Sequence, residues 1–264
     1  MFDLSTMFAD LSPFFYAFLG GMLPTLVWLY FWEQEDRKHP EPKSLIAITF
    51  IGGMLAVGIS LFLERILFEL DPRIIFSSNF FTPLLEWVRG LSLSENMSFA
   101  RVLLIIVYAP IIEEVLKFVI TYFIALKNRE DDEPIDPVIY LITAALGFAA
   151  IENTLFLIEP LTKGDLSLGI LTGNMRFIGA TLLHTVASAT AGFFMGFHFY
   201  DKKVRKFFFR ITGIVAAIAI HIIFNYFMLI NNQDSLLVLE GLWVAVIIVL
   251  LVFEKVKRVY PKTN

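Results

Sequence analysis

Two adjacent glutamates and a lysine, Glu113-Glu114-x-x-Lys117, interrupt an apolar stretch long enough to cross a membrane. Three further apolar stretches carry Phe148-x-x-x-Glu152-Asn153, His184 and His221-x-x-x-Asn225. An ionisable side chain at bilayer depth costs roughly 2.5–3.5 kcal/mol on insertion scales, so such residues face a bundle interior or a wet cavity and mark function. Gathered in one cavity, these acids, imidazoles, base and amide have the composition of an acid/base catalytic site.

Each set has a chemical and a structural reading. Spacings of three and four put Lys117 on the face of either acid, so it can pair with one while the other is tuned by burial and like charge for general-base work on water. Pro110, just ahead, is placed to kink the helix and open backbone near the site. The structural alternative is a buried ion pair tying two helices. Glu152 follows Ala144, Ala145, Gly147, Ala149 and Ala150, small residues that let helices approach closely and deliver Glu152 and Asn153 to the bundle centre. His184 stands with Thr181, Thr185 and Ser188, ahead of Gly192-x-x-x-Gly196; a packed, hydrogen-bonded histidine is the alternative there. His221 and Asn225 share one helix face; an imidazole moves protons near neutral pH, and a carboxamide one turn away can donate to an oxyanion.

The elements that must position these groups are membrane helices. The chain has 264 residues, 57% hydrophobic and 17% charged, against about 25% charged in a soluble domain. Its mean hydropathy is +0.72. Ten-residue alternating strands are absent, which argues against a barrel. Cysteine is absent, which excludes disulfide and thiolate chemistry. No cleavable leader is read at the start, so the first apolar stretch is expected to stay in the mature protein. A span needs about 20 apolar residues, and about seven are read: Pro13–Trp32, Ser44–Leu63, Phe99–Leu126, Val138–Ile158, Phe177–Phe199, Phe208–Ile230 and Leu236–Phe253. The expected fold is an all-α, polytopic transmembrane bundle in one integral membrane domain, 1–264. Residues 1–98 hold peripheral spans and an aromatic interfacial segment (Asp71–Ser98), 99–230 a four-helix catalytic core, and 231–264 the last span and a basic tail. Lys and Arg crowd the loops after spans one, three and five and the C-terminal tail. The N-terminus is therefore expected outside and the C-terminus in the cytoplasm. At ~1.5 Å per residue, Glu113 and Glu114 lie about 20 Å below the outer face, His221 about 14, His184 about 10, Glu152 about 9 and Asn225 about 8 Å. Those depths are close enough for one site.

A zinc site is compatible with these residues: Glu113, Glu114, His184 and His221 would supply nitrogen and oxygen ligands. No His-Glu-x-x-His motif is present, so no metal is assigned and none is required. Ser188 lacks a nucleophile motif and an intramembrane aspartate partner, and neither Gly-x-Ser of the rhomboid type nor Gly-x-Gly-Asp of aspartyl intramembrane proteases occurs.

Taken in order, Pro110-Ile-Ile-Glu-Glu-Val-Leu-Lys117, Gly147-Phe-Ala-Ala-Ile-Glu-Asn153, Leu183-His-Thr185 and His221-Ile-Ile-Phe-Asn225 resemble the PrsW-type intramembrane protease family, itself similar to CAAX-processing and bacteriocin-processing membrane proteases. The resemblance runs from about Ala109 to Asn225. It implies cleavage of membrane-embedded or membrane-proximal proteins, one family role being first-site cleavage of an anti-sigma factor. The family was classed with metalloproteases, whereas the CAAX-processing relatives are described as glutamate-dependent. Where those relatives carry histidine this chain has Glu152, which cannot donate as an imidazolium does.

The expectation is an endopeptidase of the bacterial plasma membrane acting on a single-span protein in the lipid bilayer, with no nucleic-acid partner. Glu113 or Glu114 serves as base on water, assisted by Glu152. His184 or His221 handles the proton for the leaving amine, Asn225 the oxyanion, and Lys117 and Asn153 support them. A proton-coupled transporter and an inactive helix-binding scaffold are the alternatives.

Overall fold

The computed structural model describes residues 4–36, 40–69, 102, 104–230 and 235–261, which are helical almost throughout and contain no strand. The helices are α1 (Leu4–Glu35), α2 (Lys43–Glu69), α3 (Ala109–Ile124), α4 (Asp136–Thr162), α5 (Leu166–Ile178), α6 (Ala180–Phe197), α7 (Lys203–Ile230) and α8 (Ser235–Val256). The all-α membrane bundle is as expected. Among the described residues six stretches are long and apolar enough to cross a membrane: Ser12–Glu35, Lys43–Leu67, Asp136–Thr162, Leu166–Phe197, Lys203–Ile230 and Leu236–Val256. The place of the expected third span is held by α3 and a π-helical turn, Leu104–Tyr108, in front of it. The Asp71–Ser98 segment lies outside the described residues.

Two of the boundaries that differ from expectation bear on the site. Helix α2 runs past Leu63 to Glu69, which brings Glu64 inside it. The fifth span starts at Leu166 and is broken at Gly179 into α5 and α6. A Cβ at Gly179 would come within 2.8 Å of the Met175 carbonyl oxygen, so the close turn there leaves no room for a side chain.

Helix α4 is the hub. Residues Asp136 to Ala150 are buried without interruption, as suits a helix apolar on every face. Small residues let its neighbours in. A Cβ on Gly53 of α2 would run into the Ala144 carbonyl, and one on Gly147 would run into the Phe50 carbonyl. On the other side a Cβ on Gly192 of α6 would sit 2.6 Å from the Val138 Cα. Backbone therefore meets backbone across both interfaces, the geometry that packing without a hydrophobic drive requires. The outer helices carry large exposed apolar side chains, such as Phe15, Leu55, Val215 and Leu251, suited to lipid.

A tight turn closes α4. Gly164 adopts φ +74°, and Asp165 caps α5 by accepting from the Leu168 N–H at 2.9 Å. Helices α4 and α5 form an antiparallel hairpin in which Glu152 and Arg176 each lie twelve residues from Gly164 (164 − 152 = 12, 176 − 164 = 12). At the far end of α4, Asp136 Oδ2 accepts from the backbone of Asp132 and Glu133, and Tyr140 donates to Glu41. Burial, reinforced by Asp136 and Asp36, pushes the Glu41 carboxyl up to about 9.

Candidate active site

Helix α3 contributes three polar side chains, Glu113, Glu114 and Lys117, from its second and third turns. Pro110 sits in the first turn and has no N–H to donate. With π spacing, the carbonyl five residues back is that of Ile105, and it accepts from Asn225 Nδ2 of α7 at 3.1 Å. The proline thus frees a backbone acceptor, and α7 satisfies it with the carboxamide singled out in the sequence. The distortion fixes the height of α7 against α3.

On the next turn Lys117 chooses Glu114. Its Nζ lies 2.5 Å from Glu114 Oε1 and 3.0 Å from His184 Nδ1. An ammonium has only donors, so His184 Nδ1 accepts and its proton is on Nε2. That Nε2 lies 2.9 Å from Glu152 Oε2 and donates to it. Glu114 Oε1 also takes His221 Nδ1 at 2.8 Å, which leaves His221 Nε2 directed to Glu113, 3.9 Å from its Oε2. Glu113 Oε2 is buried and has no hydrogen-bond partner. The imidazoles of His184 and His221 meet edge to face with centroids 5.1 Å apart, and Phe148 packs on His184 at 5.4 Å.

The network continues through a residue that no sequence motif included. Arg176 of α5 places Nη2 2.6 Å from Glu152 Oε2 and Nε 2.6 Å from Asn153 Oδ1. Asn153 Nδ2 donates to Thr181 Oγ1 of α6 at 2.9 Å. Every expected residue is thus on one connected network or at its edge: Glu114, Lys117, Glu152, Asn153, His184 and His221 inside it, and Glu113 and Asn225 beside it. His198 lies elsewhere, bonded to Asp201 at 2.7 Å. Arg176, and Glu64, which accepts from Ser60 at 2.5 Å, belong to none of the motifs in the sequence.

These groups floor a cavity of about 530 Å³. Glu64, Glu113, Glu152, Arg176, His184, His221 and Asn225 line it, among apolar side chains that include Val57, Leu155, Phe156, Met175, Leu183 and Phe224. Glu114 and Lys117 stand behind that surface, 3% and 1% exposed. The arrangement offers one acid without a hydrogen-bond partner and one imidazole nitrogen at the cavity wall, the imidazole held from behind by Glu114.

Glu113, His184 and His221 are close enough to hold a metal, with one donor atom from each within 4.8 Å of the others. Glu114 is not in that group. His221 fits it well, since its Nδ1–H is already held by a carboxylate, as metal-bound histidines require. His184 does not fit as placed. Ligation through Nε2 needs the ring proton on Nδ1, which would face the Lys117 ammonium at 3.0 Å. Ligation through Nδ1 meets the same ammonium. A metal on this group would therefore require His184 to be released by Lys117 or Glu152, which hold its two nitrogens as placed.

No solved structure matches the chain. The chain is 25% identical over 224 residues to a protein named Protease PrsW from Clostridioides difficile, covering 84% of this chain and 83% of that one. It is 23% identical over 189 residues to Protease PrsW of Geobacillus kaustophilus, covering 72% and 69%. Residues 41–253 match the family described as PrsW family intramembrane metalloprotease, a stretch that includes the whole network, and the chain belongs to that family.

Proposed function

We propose that this protease hydrolyses peptide bonds of single-span membrane proteins by glutamate-activated water, in a cavity that opens to the outer side of a bacterial plasma membrane. One observation carries the reading. Glu113 Oε2 and His221 Nε2 face each other across 3.9 Å at the cavity wall, while the other acids and imidazole nitrogens of the network are engaged. A water between them gives a proton to Glu113 as its oxygen bonds to the carbonyl carbon. The carbonyl oxygen becomes an oxyanion, met by the second amide hydrogen of Asn225, whose first is spent on Ile105. The C–N bond then breaks as the proton passes through His221 Nε2 to the leaving nitrogen. Water and peptide thus yield one carboxylate end and one amine end.

The other residues prepare this pair. Glu114 holds His221 by Nδ1, as a carboxylate orients an imidazole in a hydrolytic triad. Lys117 balances Glu114 so that the buried carboxylate is not left alone. Glu152 and His184 form the facing wall. Orientation follows the basic loops, with the Lys163–Asp165 turn outside. The family resemblance points to an anti-sigma factor as the kind of substrate.

The test is cleavage of single-span reporter proteins by detergent-purified enzyme, with zinc content measured and chelator present or absent. Metal-free cleavage that survives chelation and is lost in Glu113→Gln supports the reading. Stoichiometric zinc with chelator-sensitive cleavage would overturn it and require Lys117 to leave His184.

A further inference from the structure

Arg176 grips two consecutive residues of α4, and both are tied to the same turn of α6. Its Nη2 holds Glu152 Oε2, which also accepts from His184 Nε2. Its Nε holds Asn153 Oδ1, and Asn153 reaches Thr181, one turn ahead of His184. The guanidinium lies 3.8 Å from the Phe156 ring, one turn beyond Glu152. Two parallel arms thus run from one guanidinium to one turn of α6, and a third contact fixes its plane.

We infer that Arg176 is a positioning residue of the hydrolytic site, acting through Glu152 to fix the ring orientation and tautomer of His184. Four observations support this. First, the grip matches a planar fork: two donors on different nitrogens of one rigid guanidinium meet acceptors on adjacent residues, an orientation that a freely rotating ammonium does not fix. Second, stability alone does not account for the ion pair, because a part-buried pair such as this, 14% and 22% exposed, gains little net stability once desolvation is counted. Third, Glu152 Oε2 is shared by the arginine and His184, so releasing the arginine frees the acceptor that holds the Nε2 proton. Fourth, Lys117 holds the opposite ring nitrogen, so His184 is ordered only while both ends are held. The hairpin about Gly164 sets Arg176 level with Glu152, which makes the contact a product of the fold.

The consequence for the reaction is geometric. His184 packs edge-on against His221 at 5.1 Å between centroids, so its ring plane is part of the wall that holds His221 Nε2 toward Glu113. A His184 ring free to flip would loosen that wall. The effect on turnover rests on the proteolytic reading, but the tautomer does not.

The chain has four histidines, few enough to resolve by nitrogen-15 spectroscopy of the ring nitrogens in full-length, histidine-labelled protein, with His184→Gln giving the assignment. Wild type should show His184 as a single Nε2–H tautomer. Arg176→Gln should show a mixture of tautomers, and Arg176→Lys an intermediate spectrum. With a cleavable reporter, Arg176→Gln should lower kcat by about 100-fold, the loss typical of a small misplacement in a site. KM should hold, and Arg176→Lys should recover part of kcat. An unchanged His184 spectrum in Arg176→Gln overturns the inference, as does a rise in KM with kcat intact, which would make Arg176 a substrate contact. Absence of cleavage by wild type counts against the proteolytic reading alone, and the spectra still decide the role of Arg176. Should Arg176→Gln fail to fold, the Arg176→Lys spectrum decides: a wild-type tautomer pattern there would refute the need for the fork.

Discussion

Glu113→Gln and Glu114→Gln alter adjacent residues by the same single atom exchange, yet the structure assigns them different losses. Glu113 Oε2 makes no hydrogen bond, and His221 Nε2 lies 3.9 Å from it. The amide keeps the volume, so the fold should lose less than about 1 kcal/mol. Turnover should collapse. Removing a general base costs on the order of 10²–10⁴ in rate, which is about 3–5 kcal/mol at 1.36 kcal/mol per decade. Glu114 Oε1 accepts at once from Lys117 at 2.5 Å and from His221 at 2.8 Å. Its amide leaves Lys117, 1% exposed, as a buried charge without its counter-ion. Breaking a buried pair from one side costs about 3–5 kcal/mol, equivalent to a Tm drop of roughly 6–20 °C for a chain of this size. The assay is paired: thermal unfolding followed by tryptophan fluorescence in lipid nanodiscs, and reporter cleavage by the same preparations. Both variants should be inactive, and only Glu114→Gln should melt early. Cleavage by Glu113→Gln within tenfold of wild type would refute the division of roles, and so would a Glu114→Gln protein as stable as wild type.

Three further outcomes follow from other parts of the fold. Gly147→Val should abolish folding or cost several kcal/mol, because its Cβ would run into the Phe50 carbonyl where α2 crosses α4, and overpacking alone costs about 1–3 kcal/mol; expression and thermal unfolding check it. Glu41 has its carboxyl pushed up to about 9 in the fold, chiefly by burial, from an ordinary 4.5, so the folded state favours its protonated form. That contribution is whole below pH 4.5 and is lost as pH rises through about 9, so wild-type Tm should fall across this window more steeply than that of Glu41→Gln. The chain has no native cysteine, so single cysteines report topology directly: Lys163→Cys should react with an impermeant thiol reagent in intact cells and Lys127→Cys only after lysis, and the reverse pattern would invert the orientation.

The polar sets were legible because hydrocarbon makes them conspicuous. Each of Glu113, Glu114, Lys117, Glu152, Asn153, His184, His221 and Asn225 stood out against an apolar background, and each reached the site or its edge. What the spacing left open was the pairing. Lys117 can reach the acid at i−3 or i−4, and the choice of Glu114 depends on His184 and His221 of other helices, which no local pattern shows. Pro110 was expected to open backbone; the structure adds which carbonyl it frees and that Asn225 takes it. Arg176 was hidden for a different reason. It sits in Leu166–Ile178, where α5 leads the broken span, and the signal for it was the register about Gly164, not hydropathy. Glu64 fell just outside the expected second span, which stops at Leu63 where the helix runs on to Glu69.

The pattern of compensation divides the labour of the site. Two cations lie in the network, and each balances one carboxylate: Lys117 takes Glu114 and Arg176 takes Glu152. Each balanced carboxylate then holds one imidazole, His221 on Glu114 and His184 on Glu152. The two halves are alike in chemistry but differ in what they leave over. His184 is held at both nitrogens, by Lys117 and Glu152, and has nothing left with which to move a proton. His221 is held at Nδ1, and its Nε2 is turned toward Glu113. In water such a distinction would be blurred by solvent reaching every group. Inside a membrane an uncompensated acid is expensive, and a chain that retains one beside a free imidazole nitrogen has placed its cost where proton transfer needs it. In the proposed mechanism Glu113 and His221 are the reacting pair, and the ion pairs around them leave Glu113 Oε2 without a hydrogen bond and His221 Nε2 facing it.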